Sequence, residues 1–226
     1  MSAIWNEIDI LVLTLKVGLA AVALDLPPAL LAARLLAHRR FPGRALVETV
    51  LNLPLVLPPV ASGLVLLYLM APASPLGRAL EEGVGLRLVF TWPAAALAAA
   101  VVSFPLMLRS VLQGFEAIDP RLGEVARTLG ARPMTVFLKV HLPLAAPGII
   151  AGAIMGFARA IGEFGATIMV AGSIPGRTRT LPIAIYHRVQ TGDAGGAMRL
   201  ALLSSVLALA LVALGGAAER RLRRDA

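Results

Sequence analysis

The 226-residue chain contains no cysteine and few aromatic or charged side chains. Without cysteine, neither a disulfide framework nor a thiolate metal site can form. The three histidines, His38, His141 and His187, are far apart in sequence and lack the spacing of metal ligands, so we predict no cofactor. Charged residues make up 15% of the chain and hydrophobic residues 58%, compared with about 25% and about 45–50% in soluble domains. This composition indicates a membrane protein with several spans.

Five apolar segments are long enough to cross a bilayer, which takes about 20 residues. They lie at about residues 9–37, 45–70, 88–112, 147–172 and 197–218. We therefore predict an all-α integral membrane protein with five transmembrane helices in a single domain, residues 1–226. The first segment exceeds the length of a cleaved signal peptide, and acidic rather than basic residues precede it.

Basic residues are unevenly distributed among the loops between these segments. They concentrate in residues 39–44, 109–139 and 220–224, and are fewer in residues 78–87 and 177–199. Because cytoplasmic loops carry the excess of lysine and arginine, the amino terminus is predicted outside and the carboxyl terminus in the cytoplasm. The formal net charge of +8 is then a property of the cytoplasmic side, and we predict no nucleic-acid partner.

Two predicted spans contain residues that interrupt helices. Asp25 and two prolines stand in the first, and we expect Asp25 to face a subunit interface or a wet cavity. In the second, the density of prolines predicts a break, either in a packed, kinked helix or in one that lines a pathway. These prolines are Pro54, Pro58 and Pro59.

The polar segment 119–143 has the pattern of two short helices around a glycine turn. Asp119 can cap a helix and Pro120 fits its first position. Gly130 can end that helix in the left-handed conformation, and Pro133 can begin the next. One side of the first helix is apolar, with Ile118, Leu122, Val125 and Leu129 at helical spacing. Such an element either binds in a groove of another protein or lies on the lipid surface, and amphipathicity alone does not distinguish these.

The same segment resembles the EAA loop of permease subunits of binding-protein-dependent ABC importers, with the pattern E-A-A-x3-G-x9-I-x-L-P. Val125 and Val140 replace the usual alanine and isoleucine. The resemblance implies a type I importer permease (MetI-like) fold, with residues 116–143 as a cytoplasmic coupling loop that binds an ATPase subunit. The implied coupling residues are Glu124, Val125, Ala126, Leu129, Gly130, Ala131, Val140, Leu142 and Pro143.

Arg159 and Glu163 lie inside the fourth predicted span, where a charged side chain costs about 2.5–3.5 kcal/mol on insertion scales. Four residues apart, they can meet on one helix face. Either they neutralise each other between helices, or they belong to a substrate pathway that Glu163 and Phe164 narrow. Nearby Gly162 and Gly165 would let a neighbouring helix approach closely. Three hydroxyls could donate to an oxyanion or bond to their own backbone: Ser62, Ser103 and Thr167.

Residues 159–186, RAIGEFGATIMVAGSIPGRTRTLPIAIY, resemble the molybdate branch of the sulfate, molybdate and tungstate importers, as do residues 51–63, LNLPLVLPPVASG. The resemblance implies a gate at Glu163 and Phe164 and a homodimer with the pathway between its subunits. It also implies two ATP-binding subunits, a periplasmic oxyanion-binding protein, and a bacterial inner membrane. The alternative cargoes are sulfate and tungstate, because all three are tetrahedral dianions and the binding protein can select among them.

The sequence lacks a GxxxxGK[ST] phosphate loop, so another chain must hydrolyse ATP and this chain is predicted not to be an enzyme. An intramembrane protease would need a serine–histidine pair at membrane depth, whereas His38 and His141 lie in predicted cytoplasmic regions and His187 lies outside. A secondary transporter would normally have more spans or an inverted repeat. We therefore disfavour both alternatives.

Overall fold

The computed structural model describes residues 2–37, 41–85 and 87–224, without the side chains of residues 2–6, 84 and 218–224. These residues form eleven α-helices and one π-helical turn, with no strand among them. The helices are α1 (Ser2–Leu36), α2 (Arg44–Val56), α3 (Pro59–Met70), α4 (Pro75–Val84), α5 (Trp92–Glu116), α6 (Pro120–Thr128), α7 (Pro133–Val136), α8 (Leu142–Ile161), α9 (Gly165–Ala171), α10 (Leu181–Gln190) and α11 (Ala194–Arg224). The π-helical turn, Phe137–His141, joins α7 to α8.

Four helical segments of the described chain are long and apolar enough to cross a membrane. They are Glu7–Leu36, Trp92–Glu116, Pro133–Ile161 and Ala194–Ala217. Helices α2 and α3 pass the same test only as a pair, and they are bent by 108° at their junction. Each is about 20 Å long at 1.5 Å per residue, which is less than the roughly 30 Å of a hydrocarbon core. The described residues therefore contain four continuous candidate spans, and the predicted span at residues 45–70 is a broken one.

The bend between α2 and α3 follows from consecutive prolines. Leu57 and Pro58 have extended backbone angles, with ψ of 141° and 130°. A residue that precedes proline is disfavoured in the helical region, so both residues are held out of the helix. The predicted interruption of this span is confirmed.

Helix α5 is the centre of the fold, and α1 and α8 pack along it. Its first half is rich in buried alanines, and small residues let the neighbouring helices approach closely. At the contact with α8, a Cβ built at Gly114 would lie 3.0 Å from the Cα of Gly148. Helix α5 therefore needs small side chains along this face.

Asp25 lies inside the subunit, which corrects the expectation that it faces an interface or a wet cavity. Its side chain is 4% exposed, and it accepts a hydrogen bond of 2.9 Å from the Ser103 hydroxyl. The carboxylate thus joins α1 to α5 across 78 residues of sequence. Buried polar groups need such a partner, because an unpaired one costs free energy.

The fourth predicted span begins and ends elsewhere than expected. Its helical segment begins at Pro133 rather than near residue 147, because the chain stays helical through the π-helical turn and the prolines of α8. It ends at Ile161, and residues 162–164 separate it from α9. The short helix α10 lies between α9 and α11 and ends at Gln190.

Candidate functional site

Helix α6 is fixed at both ends by local contacts, as the sequence predicts. Asp119 Oδ1 accepts a 2.9 Å hydrogen bond from the backbone N–H of Arg121, and Pro120 occupies the first turn. Gly130 has φ +85°. Its N–H donates to Arg127 O and the N–H of Ala131 donates to Ala126 O, at 2.9 and 3.0 Å. This is the Schellman arrangement of a glycine-terminated helix, so the predicted helix, glycine turn and second helix are confirmed.

One face of α6 exposes an apolar stripe, which we define as Leu122, Val125 and Leu129. Val125 is 56% exposed and Leu129 is 83% exposed. Large apolar side chains that protrude together from a capped helix indicate a contact with another protein or with the membrane rather than a core. Met134 and Leu138 are also exposed farther along the same loop.

The opposite face of α6 turns toward the protein. Gly123 is buried there, and a Cβ at this position would lie 2.9 Å from His141 Nε2. Glu124 and Arg127 line a cavity on this side. Glu124, although exposed, therefore lies off the apolar stripe.

The other predicted coupling residues occupy three places. Ala126 and Ala131 are half-buried at the glycine turn. Val140 belongs to the π-helical turn, and Leu142 and Pro143 begin α8. The end of the EAA-like pattern is thus part of the helical segment Pro133–Ile161.

Arg159 and Glu163 form the predicted ion pair at the break between α8 and α9. Arg159 Nη2 lies 2.8 Å from Glu163 Oε2, and the Glu163 side chain is 2% exposed. The other carboxylate oxygen, Oε1, accepts a 2.8 Å hydrogen bond from the N–H of Ala166 in the first turn of α9. Glu163 therefore joins the end of one helix to the start of the next, and carboxylates are favourable at that helix end.

The two broken helices of the fold pack against each other at this point. Helix α3 contacts α9, and a Cβ at Gly165 would lie 3.0 Å from the Cβ of Pro59. The predicted close approach at Gly165 is confirmed, whereas Gly162 has only its own helix backbone nearby. The Phe164 ring is half-buried, with its centroid 5.0 Å from that of Tyr186 in α10.

The three hydroxyls predicted for the pathway have different surroundings. Thr167 donates to the backbone oxygens of Glu163 and Phe164, both at 3.0 Å. Ser103 is fully buried on α5 and donates to Asp25. Ser62 is buried on α3, and its Oγ has no hydrogen-bond partner among the described residues. Only Ser62 and Thr167 thus lie on the two packed broken helices.

Phe90 is a contact residue of α9 that the sequence did not reveal. Its φ is +61°, its N–H donates to Val170 O at 2.9 Å, and its ring faces Gly172. No sequence signal predicts this, because a bulky residue rarely adopts a positive φ. Thr14 was also missed: its buried Oγ1 accepts a 2.8 Å hydrogen bond from the N–H of Leu181 at the start of α10.

Residues 27–224 match the family described as binding-protein-dependent transport system inner membrane component. The chain belongs to this family. It is 47% identical to the molybdenum transport system permease protein ModB of Escherichia coli (strain K12), over 91% of this chain and 89% of that protein. It is 38% identical to the sulfate transport system permease protein CysW of Synechocystis sp., over 88% of this chain and 73% of that protein.

The solved structures give the same fold for this family member. A bacterial ABC transporter involved in the import of the acidic polysaccharide alginate superposes with a TM-score of 0.73, over 95% of this chain and 79% of that one. At 18% sequence identity, this similarity concerns the fold alone. The fold is that of the type I ABC importer permeases, as predicted, in a multi-pass inner-membrane protein.

Proposed function

We propose that this chain is the permease subunit of an ATP-driven importer that moves molybdate into the cytoplasm. One observation carries the proposal: an apolar stripe is exposed on a capped helix and its C-cap, between two apolar candidate spans. A transport subunit without a phosphate loop of its own needs a surface that binds a separate ATPase subunit, so that ATP hydrolysis can drive transport. The 47% identity to a molybdenum permease supports the choice of cargo.

In this proposal, residues 116–143 are the coupling loop of a single permease domain, residues 1–226. Burying a leucine-sized side chain contributes about 1.5–3 kcal/mol, so the apolar stripe supplies most of the affinity for the ATPase subunit. The remaining coupling residues hold the loop and its turn in place: Glu124, Ala126, Gly130, Ala131, Val140, Leu142 and Pro143. Two ATPase subunits bind, one for each copy of this chain.

The pathway in this proposal lies along the packed broken helices, with Glu163 and Phe164 as its gate. Arg159 fixes the Glu163 carboxylate, and Thr167 fixes the start of α9. The Ser62 hydroxyl, which lacks a partner in the described chain, is the pathway donor for an oxyanion. Because Ser103 is buried and already donates to Asp25, its part is to hold α5 against α1 rather than to contact the cargo.

A second copy of the chain completes the pathway. No residue of α2 is buried within the subunit, and its apolar side chains Leu46, Val50 and Val56 are exposed. The break between α2 and α3 frees backbone polar groups, which are tolerated at membrane depth only against protein or a wet cavity. A homodimer with the broken helices facing each other would provide both.

The amino terminus is outside and the carboxyl terminus cytoplasmic in this proposal, so a periplasmic oxyanion-binding protein delivers the cargo at the opposite end from α6. The support is the distribution of basic residues. Arg39 and Arg40 lie outside the described residues, as does His38. The side chains of the tail arginines Arg220, Arg221, Arg223 and Arg224 also lie outside the described part.

Sulfate or tungstate is the second candidate cargo, because the chain is also 38% identical to a sulfate transport permease. The test is to purify the chain with its candidate ATPase and binding protein in lipid vesicles, and to measure ATP hydrolysis with each oxyanion. We expect molybdate to stimulate hydrolysis, and only when the binding protein is present. Equal hydrolysis with and without the three ions would refute the transport proposal, and stimulation by sulfate alone would change the cargo.

A further inference from the structure

A cavity of about 360 Å³ lies between the end of α1 and the inward face of α6. Its wall includes Arg34 from α1, Glu124 and Arg127 from α6, and His141 from the π-helical turn. None of the three residues of the apolar stripe lines it. The cavity is therefore distinct from the surface that we propose for the ATPase.

Two guanidinium groups in this cavity have no carboxylate partner in the described chain. Arg34 lies over the Phe137 ring, with Cζ 4.4 Å from the ring centroid. Arg127 donates through Nε to Gly123 O at 3.2 Å. Neither forms an ion pair with any acidic group of residues 2–37, 41–85 or 87–224.

These contacts orient both arginines and leave most of their N–H groups without an acceptor among the described residues. An arginine has five N–H donors in a fixed fork. Stacking on Phe137 uses the face of the Arg34 guanidinium, and the bond to Gly123 uses one donor of Arg127. Among the described residues that line the cavity, Glu124 is the acidic one, so the two guanidinium charges exceed the one carboxylate.

Arg34 is close to the end of the candidate span Glu7–Leu36. If this segment crosses the bilayer, that end lies at the level of the lipid phosphates. A guanidinium fork matches the oxygen atoms of a tetrahedral oxyanion and binds two of them at once. The cavity thus offers the charge and the donors that such an anion requires.

We propose that Arg34 and Arg127 bind one tetrahedral oxyanion in this cavity, either the phosphate of an anionic lipid headgroup or a free oxyanion such as phosphate or molybdate. The bound anion would join the end of α1 to α6 and so hold the apolar stripe in position. The inference rests on the proposed function only for the side of the membrane on which the cavity opens.

The test uses the full chain in lipid nanodiscs, in two arms. In the first, nanodiscs contain phosphatidylcholine and phosphatidylglycerol, and native mass spectrometry counts the phosphatidylglycerol molecules retained after transfer to detergent. In the second, nanodiscs contain phosphatidylcholine alone, and equilibrium dialysis measures the binding of radiolabelled phosphate and of molybdate. The variants are Arg34→Gln and Arg127→Gln, with Arg34→Lys to restore the charge. Arg132→Gln is the matched control, because Arg132 is exposed on the same loop and does not line the cavity.

We expect Arg34→Gln and Arg127→Gln each to weaken binding about tenfold or more, as the loss of a charge-assisted hydrogen bond requires. Arg132→Gln should leave binding unchanged and Arg34→Lys should restore part of it. A loss in the first arm identifies a lipid phosphate, and a loss in the second a free oxyanion. No binding in either arm, or an equal loss in Arg132→Gln, overturns the inference.

Arg127→Gln keeps the test decisive if Arg34→Gln does not fold, because α6 lies outside the continuous spans. The outcome is also separable from that of the proposed function. Anion binding that persists while no oxyanion stimulates ATP hydrolysis would refute the transport proposal and leave this inference standing.

Discussion

Replacement of Gly130 tests whether the conformation of the loop at residues 116–143 couples ATP hydrolysis to transport. Gly130 has φ +85°, and a Cβ built on it meets no atom within 4 Å. A substitution therefore strains the backbone without any steric clash. Valine and asparagine make a matched pair, because both add a side chain but only asparagine readily adopts the left-handed conformation.

The expected cost follows from the backbone alone. A residue other than glycine pays about 1–2 kcal/mol in the left-handed region, and a β-branched residue is more strongly disfavoured there. A cost of one or two kcal/mol changes a conformational ratio by a factor of about 5–30. Gly130→Val should thus lower the ratio of native to altered turns by about this factor, while Gly130→Asn should lower it less.

The assay is uptake of radiolabelled molybdate into proteoliposomes that contain the complete transporter, with ATP hydrolysis measured in parallel. We expect Gly130→Val to lower uptake about fivefold or more while hydrolysis continues, and Gly130→Asn to retain most uptake. Immunoblots of the membrane fraction should give equal amounts of both variants. Normal uptake by Gly130→Val, or an equal loss in Gly130→Asn, would refute the reasoning.

Three further substitutions test other contacts. Glu163→Gln should lower the free energy of unfolding by about 1–3 kcal/mol, because it leaves Arg159 without a counter-charge at a partly exposed site. In thermal unfolding, the double variant that also carries Arg159→Met should recover part of this loss. No recovery would contradict the pairing. Gly123→Ala should lower the free energy of unfolding by about 1–3 kcal/mol, because the added Cβ crowds His141. Gly83→Ala, whose Cβ meets no atom within 4 Å, should be neutral or stabilising in the same assay. Equal effects of the two substitutions would refute the packing argument. Leu129→Ser should leave the thermal stability of the chain unchanged but weaken binding of the ATPase subunit about tenfold, because a leucine buried in the complex is lost. An unaltered affinity in a binding titration would show that Leu129 is not part of the interface.

The sequence alone predicted those features of the structure that depend on contacts between residues close together in the chain. Asp119, Gly130 and Pro133 act through caps and turns within a few residues, and the helix–glycine turn–helix was predicted from them. The break near Pro58 and the Arg159–Glu163 pair are local in the same sense. The functional roles of these residues remain predictions, because partners absent from this chain determine them.

Contacts between distant segments were beyond such reasoning. The break at residues 162–164 is local but was also missed, because it contains no proline; there the Glu163 carboxylate accepts a hydrogen bond from the N–H of Ala166 in α9. Asp25 was misplaced because its partner Ser103 stands on another helix. The start of the fourth span was placed too late, because prolines that would end a helix in water are tolerated in a membrane helix.

Helix α9 is held at each end by a residue outside the helix. The Glu163 carboxylate binds its first turn, and the N–H of Phe90 binds Val170 near its last residue. Its seven residues make it about 10 Å long, too short to bend. If residues 87–91 were displaced, a helix this short would therefore carry the displacement to the ion pair between Arg159 and Glu163 as one rigid unit, although no continuous helix connects the two places.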